Sequence, residues 1–500
     1  MTAIRDILKH LDKPVSSGPQ DAVVTSVTSD SRAVTEGSVF VAIRGGQLDG
    51  RSFIPSAREQ GAVAIVTDSA PETGDPTDVA WIQVRDPREA LASLAVLLAG
   101  NPSSDLRLVG VTGTNGKTTS TFLIHHIMKR HWHRAGVLGT IIVDDGEESA
   151  TASHTTPDPV ALQNLLSRMV DHGCRGAALE VSSHGIDQKR VAETAFDALV
   201  FTNLSQDHLD YHGTMEAYAA AKTSWFEDAV ANPRGKKPVA VINIDDTRGA
   251  ELAESLDGRM PVIRFGFGIE ATYRAIDFRQ SPRGMEFKLE AKGKAFLVRT
   301  PLIGRFNAYN ILASLAAAQS VGIPLRESIN YISEAPQVPG RMENCGIRDG
   351  MTVFVDYAHT PDALENACRT LKELEPRRLI TVFGCGGDRD RGKRPLMAKA
   401  AARYSDVCII TSDNPRSEDP EAIISEIESG MGATRHKSVT DRAEAIRIAV
   451  HAAGAGDIVL IAGKGHENYQ KFADRTVDFD DRREARRAIE ERPTQEEPRR

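Results

Sequence analysis

Short apolar runs alternate with longer amphipathic stretches along almost the whole chain. The apolar runs are typical of buried strands, and the clearest are Val39–Ile43, Ala62–Val66, Leu108–Val111, Ala177–Val181, Ala198–Phe201, Val239–Ile242, Val353–Val355, Leu379–Phe383, Val407–Ile410 and Ile458–Ile461. The stretches between them predict helices, among them Arg88–Ala99, Asn307–Ser320, Asp362–Glu373 and Asp441–Ala452. Strands that alternate with helices form βαβ units, so the pattern predicts an α/β fold with mostly parallel sheets.

Turn-forming residues interrupt this alternation at two places, which we take as domain boundaries. Residues 100–105 follow a helix and precede a new strand, and residues 335–340 end a helical run before a fresh alternation begins. A chain of 500 residues has room for about three domains, and we place them at 1–103, 104–337 and 338–500. Residues 284–299 alternate apolar and polar around a KGK turn and predict an antiparallel hairpin. The charged residues 492–500 predict a disordered tail.

The charge balance limits the classes of partner. The chain has 61 Lys and Arg against 69 Asp and Glu, a net charge of −8, and 5% aromatic residues. Without a basic excess or base-stacking aromatics, we expect no nucleic-acid binding and no membrane-surface role. The five cysteines form no CxxC pair, and the sequence has neither a signal peptide nor an apolar run long enough to cross a bilayer. We therefore expect a cytoplasmic protein without membrane insertion. We separately expect a monomer.

The sharpest chemical signal is the segment GTNGKTT that begins at Gly113, between an apolar strand and an apolar-periodic helix. Backbone N–H groups at such a helix start surround phosphate oxygens. Gly113 and Gly116 let the backbone approach the phosphates, Lys117 reaches the terminal phosphates, and the Thr118 hydroxyl suits Mg²⁺. The general GxxxxGK[ST] pattern requires Gly at position 111, where this chain has Val111. The segment predicts nucleotide binding and leaves hydrolysis, signalling and synthesis open.

Further motifs follow in order along nearly the whole chain: TTPD at 155–158, EVSSHG at 180–185, FTNLSQDHLDYHG at 201–213, AAK at 220–222, GRFNAYN at 304–310, GRME at 340–343, DYAHTPD at 356–362, GCGGDRDRGKRPLM at 384–397, DNPR at 413–416 and GKGHE at 463–467. Together with TGTNGKTT they resemble the Mur ligases, the ATP-dependent amide-forming enzymes of peptidoglycan assembly. The combination is similar to the MurE type, which adds the third residue of the stem peptide to UDP-N-acetylmuramoyl-L-alanyl-D-glutamate. SDSR at 29–32 and LDGRSFI at 48–54 also resemble that type.

The resemblance implies three domains: one for the uridine nucleotide, a central P-loop ATPase, and a Rossmann-like C-terminal domain for the incoming amino acid. A carboxylate is a poor electrophile for an amine. ATP, the implied co-substrate, therefore converts the substrate carboxylate to an acyl phosphate. This transfer needs Mg²⁺ and cations around the γ-phosphate.

The resemblance also assigns roles to residues around ATP and the metal. Glu180, at the end of the strand AALEV, and His208 are implied Mg²⁺ ligands beside Thr118, although an imidazole is an unusual ligand for Mg²⁺. Lys222 is implied to be carbamylated by CO₂, so that the new carboxylate helps to hold a second Mg²⁺; without the resemblance it reads as an exposed helical lysine. The implied catalytic residues are Lys117, Glu180, His208 and Lys222. The implied ATP contacts are Gly113, Thr114, Asn115, Gly116, Lys117, Thr118, Thr119, Asn310, Arg341 and Asp356.

The remaining implied contacts are with the two substrates that are joined. Those with the UDP-muramoyl dipeptide are Ser31, Thr155, Thr156, Ser182, Gln188 and Arg190. Those with the amino acid are Arg389, Asp413, Asn414, Pro415, Arg416, Gly463 and Glu467. In the resembling enzymes DNPR marks those that add meso-2,6-diaminopimelate rather than L-lysine. Diaminopimelate carries one more carboxylate than lysine, and Arg416 supplies a bidentate cation for it.

The leading hypothesis is therefore an ATP-dependent ligase that adds meso-2,6-diaminopimelate to UDP-N-acetylmuramoyl-L-alanyl-D-glutamate. A MurE ligase that adds L-lysine is the main alternative. Folylpolyglutamate synthases share the ATPase and C-terminal domains but are not expected to carry SDSR and DNPR in this arrangement. From other classes, a P-loop nucleotide switch and a non-catalytic scaffold remain. Dependence of ATPase activity on the muramoyl dipeptide and the variant Lys117→Ala would distinguish these.

Overall fold

The computed structural model describes residues 2–45, 49–72, 78–152 and 154–492. The chain forms two compact units, Met1–Ala275 with Leu289–Ala295 and Tyr309–Ile332, and Ile276–Lys288 with Phe296–Ala308 and Ser333–Arg500. Leu48, the first residue of the LDGRSFI motif, and residues 493–500 of the predicted tail lie outside the described residues. The prediction of a tail from residue 492 is wrong at its first position. Arg492 is buried and donates to the carbonyl oxygen of Val450 at 2.7 Å, so the ordered chain extends to it.

The N-terminal region builds a five-stranded sheet in the order β2-β7-β6-β5-β4, parallel except for the β2–β7 pair. Strands β1 and β3 pair separately. The strands are β1 Thr2–Ala3, β2 Val15–Ser17, β3 Val23–Val24, β4 Ser26–Thr28, β5 Ser38–Val41, β6 Ala64–Thr67 and β7 Ala80–Gln83. The helices are α1 Ile4–Ile7, α2 Ile54–Glu59 and α3 Pro87–Leu98, with short 3₁₀ helices at Leu8–His10, Ser31–Ala33, Gly50–Phe53 and Pro102–Ser104.

The central region builds a larger sheet in the order β11-β10-β9-β12-β8-β13-β14-β15-β16, parallel from β9 to β16. The next two strands, β17 and β18, are adjacent and confirm the predicted hairpin. The strands are β8 Arg107–Thr112, β9 Gly136–Leu138, β10 Ile142–Asp144, β11 Ser149–Thr151, β12 Gly176–Glu180, β13 Ala198–Phe201, β14 Val239–Asn243, β15 Val262–Gly266, β16 Tyr273–Ser281, β17 Gly284–Ala291 and β18 Lys294–Thr300. The helices are α4 Lys117–Trp132, α5 Pro159–Asp171, α6 Ser183–Asp187, α7 Leu209–His212, α8 Met215–Ala231, α9 Thr247–Leu256, α10 Arg305–Ser320 and α11 Leu325–Ser333.

The C-terminal region builds a six-stranded sheet in the order β19-β20-β24-β21-β22-β23, in which only the β19–β20 pair is antiparallel. The strands of this sheet are β19 Glu343–Arg348, β20 Met351–Asp356, β21 Leu379–Phe383, β22 Val407–Ile410, β23 His436–Ser438 and β24 Ile458–Ala462. Two further strands, β25 Tyr469–Lys471 and β26 Thr476–Asp478, form a separate antiparallel pair. The helices are α12 Pro361–Lys372, α13 Lys393–Ala402, α14 Pro420–Glu428, α15 Arg442–Ala452 and α16 Asp481–Glu490.

Both faces of the C-terminal sheet are covered, as its apolar strands require. Successive residues of a strand point to opposite faces. Phe354 and Leu460 accordingly lie in one apolar cluster, while Val353 and Val459 lie in another. The structure therefore confirms the α/β fold with mostly parallel sheets, because a strand buried on both faces reads as a continuous apolar run. Within the described ranges, no helix is both long enough and apolar enough to cross a bilayer.

Candidate active site

Three neighbouring strands of the large sheet, β12, β8 and β13, are parallel and end at the same edge. The segment that begins at Gly113 follows β8, Glu180 is the last residue of β12, and Thr202 follows β13. In α/β sheets ligands bind in the crevice outside the carboxyl ends of the strands. The predicted nucleotide segment thus lies where such a crevice is expected.

Both glycines of this segment have left-handed backbone conformations that side chains rarely adopt. Gly113 has φ +144° and Gly116 has φ +85°. A Cβ at Gly113 would lie 1.9 Å from Thr202 Oγ1, and one at Gly116 would lie 2.3 Å from Asn310 Oδ1. Helix α4 begins directly afterwards at Lys117. The close approach of neighbouring side chains explains why both positions are glycine.

Val111, which departs from the general pattern, lies inside strand β8. It is fully buried and paired with Glu180 on one side and Val200 on the other. The chain therefore leaves the sheet only after Thr112, and the turn needs no glycine at position 111.

The other residues of the segment are held by their neighbours. The N–H of Thr114 donates to the carbonyl oxygen of Asn203 at 2.8 Å, and the N–H of Asn115 donates to Asn203 Oδ1 at 2.9 Å. Thr202 Oγ1 donates to the carbonyl oxygen of Asn115 at 2.6 Å. Thr119 is buried in the first turn of α4. The segment is thus fixed before any phosphate binds.

Glu180 accepts three hydrogen bonds at the edge of the sheet. Thr118 Oγ1 donates to Oε2 at 3.0 Å, Thr140 Oγ1 donates to Oε2 at 3.0 Å, and the N–H of Thr140 donates to Oε1 at 2.7 Å. Glu180 is buried, with 2% of its surface exposed. A carboxylate beside a hydroxyl is an all-oxygen donor pair of the kind Mg²⁺ prefers. Thr140 escaped the sequence analysis, and its position just after β9 is the only signal that could have found it.

Lys117 and Lys222 both lie against the start of the segment. Lys117 Nζ donates to the carbonyl oxygens of Gly113 and Thr114, each at 2.8 Å. Lys222 Nζ donates to the Gly113 carbonyl oxygen at 3.0 Å and lies 4.6 Å from the ring centre of Tyr218. Burial and the neighbouring charge of Lys117 hold the pKa of Lys222 well below its ordinary value. The reading of Lys222 as an exposed helical lysine is wrong, because only 1% of it is exposed.

His208 precedes helix α7 in a left-handed conformation, with φ +53°. Its ring centre lies 5.0 Å from that of His184 and 6.0 Å from that of Tyr218, and Nε2 lies 3.5 Å from Asp207 Oδ2. Burial lowers the pKa of His208, so the neutral imidazole is favoured near neutral pH. Among the described residues, no three His, Cys, Asp or Glu side chains are grouped closely enough to hold a metal ion.

Two of the residues matched to the muramoyl dipeptide are joined to Glu180 by hydrogen bonds. Thr155 Oγ1 lies 3.1 Å from Thr140 Oγ1, which itself donates to Glu180. Thr156 Oγ1 donates to the Glu180 carbonyl oxygen at 2.9 Å, and the N–H of Ser182 donates to Thr156 Oγ1 at 3.0 Å. The residues after β12 and those before α5 therefore form one polar network.

Arg190 extends this network. Its Nη1 donates to the carbonyl oxygen of Thr156 at 2.7 Å, and its Nη2 donates to Gln188 Oε1 at 2.7 Å. Gln188 Nε2 in turn donates to the hydroxyl of Tyr211 at 3.2 Å. Ser31 lies elsewhere in the sequence, at the start of a 3₁₀ helix beside Asp30 in the five-stranded region.

The residues matched to the adenosine part of ATP divide between the two compact units. In the first, Asn310 is buried on α10, and its Oδ1 accepts a hydrogen bond from Ser120 Oγ at 3.4 Å. In the second, the guanidinium carbon of Arg341 lies 4.7 Å from the ring centre of Tyr357. Asp356 accepts from the N–H groups of Met342 at 2.7 Å and Ala358 at 2.9 Å.

Two loops in the C-terminal region bring the matched amino-acid contacts together. One follows β22 and holds Asp413 and Asn414; the other follows β24 and holds Gly463 and Glu467. Asn414 Nδ2 donates to Glu467 Oε2 at 3.0 Å, which joins the loops directly. Gly463 has φ +123°, which favours glycine at the first position of its loop.

Arg416 is fixed by backbone contacts on both sides. It has φ +53°, its N–H donates to the carbonyl oxygen of Lys471 at 3.0 Å, and Nη1 donates to that of Gly387 at 2.8 Å. Pro415 is buried beside Gly387, where a Cβ would lie 1.9 Å from the Pro415 carbonyl oxygen. Arg389 is more open, and its Nη1 donates to the carbonyl oxygen of Asp388 at 3.1 Å.

Two buried cations beside these loops escaped the sequence analysis. Lys464 lies in the GKGHE motif, and Arg442 begins helix α15. Arg442 pairs with Asp481 through two bonds of 2.7 Å and donates to the carbonyl oxygens of Ser412 at 3.3 Å and Ala462 at 3.0 Å. Arg442 thus fixes the backbone just before each loop begins.

Comparison with known proteins assigns the family. Residues 23–97 match the family described as "Mur ligase family, catalytic domain", residues 111–318 match "Mur ligase middle domain", and residues 340–465 match "Mur ligase, glutamate ligase domain". The UDP-N-acetylmuramoyl-L-alanyl-D-glutamate--2,6-diaminopimelate ligase of Geobacter sulfurreducens is 44% identical, over 96% of this chain and 97% of its own. The chain belongs to the Mur ligase family.

This Mur ligase also resembles a protein of the same name from Geobacillus kaustophilus, with 43% identity over 94% of this chain and 95% of the other. A solved structure with that name is 37% identical, covers 93% of this chain and 95% of its own, and superposes with a TM-score of 0.70. The resemblance predicted from the motifs is confirmed. As a Mur ligase of this type, the chain is an ATP-dependent ligase that joins an acid to an amino acid, and a nucleotide switch or scaffold is not favoured.

Proposed function

We propose that this Mur ligase adds meso-2,6-diaminopimelate to UDP-N-acetylmuramoyl-L-alanyl-D-glutamate, with ATP as co-substrate, in cytoplasmic peptidoglycan precursor synthesis. The relatives that match almost the whole chain carry this activity in their names. The observation that carries the proposal is the hydrogen-bond chain from Thr118 through Glu180 and Thr140 to Thr155. It connects the phosphate-binding segment to residues matched to the acceptor substrate, as phosphoryl transfer between the two requires.

In the first step, a carboxylate oxygen of the D-glutamyl residue attacks the γ-phosphorus of ATP, and ADP leaves. Lys117 and the N–H groups at the start of α4 stabilise the negative charge that develops on the phosphoryl oxygens. Ser31, Thr155, Thr156, Ser182, Gln188 and Arg190 bind and orient the muramoyl dipeptide. Asn310, Arg341 and Asp356 bind the nucleoside end of ATP.

Thr118 and Glu180 would hold Mg²⁺, because their oxygen atoms are 3.0 Å apart and suit a hard cation. When bound, the ion neutralises phosphate charge and polarises the γ-phosphoryl group. His208 would be a further ligand. Lys222 would supply a carboxylate after its neutral amine attacks CO₂ and loses a proton, and its buried position favours that neutral amine.

In the second step, an amine of the amino acid attacks the acyl carbon, inorganic phosphate leaves, and the amine loses a proton. Asp413, Asn414, Gly463 and Glu467 would bind the ammonium group at the far end of diaminopimelate. Arg416 and Arg389 would bind the carboxylate there, and Pro415 fixes the turn before Arg416. L-Lysine lacks this carboxylate, so a lysine-adding enzyme would not need the bidentate guanidinium group of Arg416.

We further propose that the enzyme is a monomer with domain limits near residues 103 and 337. The three families match residues 23–97, 111–318 and 340–465, and neither limit falls inside a match.

The test is an amino-acid panel assayed for ADP release with the purified enzyme, Mg²⁺ and the UDP-muramoyl dipeptide. We expect turnover with meso-2,6-diaminopimelate, and a tripeptide nucleotide of the corresponding mass. Lys117→Ala should lose nearly all activity. Turnover of L-lysine as fast as that of diaminopimelate would overturn the substrate assignment, and the absence of any tripeptide nucleotide would overturn the function.

A further inference from the structure

The ammonium group of Lys464 lies between the two loops of the proposed amino-acid pocket. Its Nζ donates to Asn414 Oδ1 at 2.9 Å, and lies 3.3 Å from both Asp413 Oδ1 and Glu467 Oε2. The side chain is fully buried, with 0% of its surface exposed. Lys464 thus contacts three of the residues to which we assign the ammonium of the incoming amino acid.

A buried ammonium is costly unless its charge is compensated. Lys464 is compensated by two carboxylates, those of Asp413 and Glu467, rather than by one. The other buried cation nearby, Arg442, is paired with Asp481. Lys464 and its two carboxylates therefore carry one net negative charge, which matches one substrate ammonium.

The charges around Asp413 favour its ionised form, and the hydrogen bonds around it and Glu467 hold their carboxylates in place. Burial raises the pKa of Asp413, but the charges of Lys464 and Arg442 outweigh this and hold it below the ordinary value. Asn414 also joins the two loops. Its Oδ1 accepts a hydrogen bond from Lys464 Nζ, and its Nδ2 donates a hydrogen bond to Glu467. The carboxylate oxygens are consequently fixed before the substrate arrives, which lowers the entropy cost of binding.

We propose that Lys464 is a positioning and specificity-determining residue, which orients Asp413 and Glu467 toward the substrate ammonium and limits this three-residue cluster to one net negative charge. This inference rests on the proposed function. Without Lys464 the two carboxylates, Asp413 and Glu467, would carry two uncompensated negative charges beside the substrate ammonium. The second of these charges favours L-lysine, which is a cation, over diaminopimelate, which has no net charge near neutral pH.

The decisive variant is Lys464→Met, which keeps the length and apolar stem of the side chain. We expect the KM for diaminopimelate to rise about 30-fold or more. The KM values for ATP and the muramoyl dipeptide should stay within about twofold, because their proposed contacts are not touched. Selectivity for diaminopimelate over L-lysine, as a ratio of kcat/KM, should fall about tenfold. Hydroxylamine trapping of the acyl phosphate without any amino acid should proceed at the wild-type rate.

The matched control is Arg378→Met. Arg378 precedes β21 and pairs with the buried Asp457, which precedes the parallel neighbour β24, so both lie at the opposite edge of the sheet from the two loops. The Arg378→Met variant therefore loses a cation beside a buried carboxylate but leaves the amino-acid pocket unchanged. Its KM for diaminopimelate should equal that of the wild type.

Lys464→Gln provides a second variant, because a neutral amide still donates to Asn414 while it removes the charge. It should restore folding if Lys464→Met is unstable, yet still lose selectivity. An unchanged KM and an unchanged selectivity in a folded variant would overturn the inference. So would failure of both Lys464 variants to fold while Arg378→Met folds, since Lys464 would then serve the fold alone. If the wild type itself does not ligate diaminopimelate, the proposed function fails instead.

Discussion

The Nζ atoms of Lys117 and Lys222 donate to the same atom, the carbonyl oxygen of Gly113, at 2.8 and 3.0 Å. Two like charges at one carbonyl repel each other unless one group is neutral. Lys222 is the buried one, and burial together with Lys117 lowers its pKa well below the ordinary value. A neutral amine is the form that reacts with CO₂, which supports the carbamylation proposed for Lys222.

Replacement of Lys222 by alanine should therefore remove a carboxylate as well as an amine. We expect Lys222→Ala to lower kcat by about 100-fold or more. Short carboxylates such as acetate, added at high concentration, should restore part of the activity. Incorporation of ¹³C-labelled bicarbonate, followed by NMR, checks the modification directly.

The matched control for this experiment is Lys236, another largely buried lysine. Lys236 Nζ donates to Asp197 Oδ2 at 2.6 Å, so its charge is compensated by a carboxylate, which it shares with Arg107. Lys236→Ala should show no response to acetate, and the wild-type Lys236 should take up no label. Activity of Lys222→Ala equal to the wild type would contradict the proposed role.

The requirement for glycine at position 116 in ATP binding can be tested by adding a single methyl group there. Gly116→Ala would place a Cβ 2.3 Å from Asn310 Oδ1 in a backbone with φ +85°. We expect the start of α4 to shift and ATP binding to weaken about 100-fold or more. Gly173 is the control, because it has φ +74° but nothing within 4 Å of its Cβ position. Gly173→Ala should cost about 1–2 kcal/mol of stability and leave the KM for ATP unchanged; equal ATP affinity in both variants would refute the role of the close contact.

The choice of substrate can be tested by replacing the planar guanidinium group of Arg416 with the ammonium group of lysine. Arg416→Lys keeps the charge and the backbone strain at φ +53° but loses bidentate geometry. We expect kcat/KM for diaminopimelate to fall about 10- to 100-fold and that for L-lysine to stay the same. Arg403→Lys, an exposed exchange in a pair with Glu365, serves as the control. A parallel loss for both amino acids would mean that Arg416 does not read the extra carboxylate.

Stability should depend on pH through Asp145. Its Oδ1 accepts from the N–H of Glu148 at 3.0 Å and from His172 Nδ1 at 3.1 Å, and Oδ2 accepts from Arg168 Nε at 3.0 Å. Burial raises the pKa of Asp145, but these contacts outweigh it and lower the pKa from 3.8 to about 2. A carboxyl whose pKa is depressed by folding stabilises the protein above its unfolded pKa, and this stabilisation is lost as pH falls toward the folded pKa.

Asp145→Asn should therefore cost about 1–3 kcal/mol at pH 7, and the difference from wild type should shrink between about pH 4 and pH 2. Chemical denaturation at several pH values measures this difference. Asp171→Asn, at an exposed carboxylate that ends helix α5, should change the free energy of unfolding by less than about 0.5 kcal/mol at every pH. A difference for Asp145→Asn that does not vary with pH would contradict the assignment.

Much of the fold could be predicted because buried parallel strands have a simple pattern. The strands Ala198–Phe201, Leu379–Phe383 and Val407–Ile410 are found with the predicted bounds, since each is an almost entirely apolar run whose residues are buried on both faces, apart from the partly buried Val407. The same reasoning found the nucleotide segment, whose chemistry is encoded by consecutive residues. It did not find Thr140 or Lys464, because the sequence does not show which side chains these two residues contact in the folded protein.

The sequence by itself determined the α/β alternation and the family and predicted the phosphate-binding segment, because strand periodicity and motifs are local properties of the chain. Only the tertiary structure decided that Lys222 is buried against Lys117, that Thr118 meets Glu180, and that Lys464 joins two loops. The partners in these three contacts are separated in the sequence by 105 positions, by 62 positions and by up to 51 positions, respectively. Their geometry depends on which strands become neighbours in the sheet, and that order is a global property that no short stretch of residues contains.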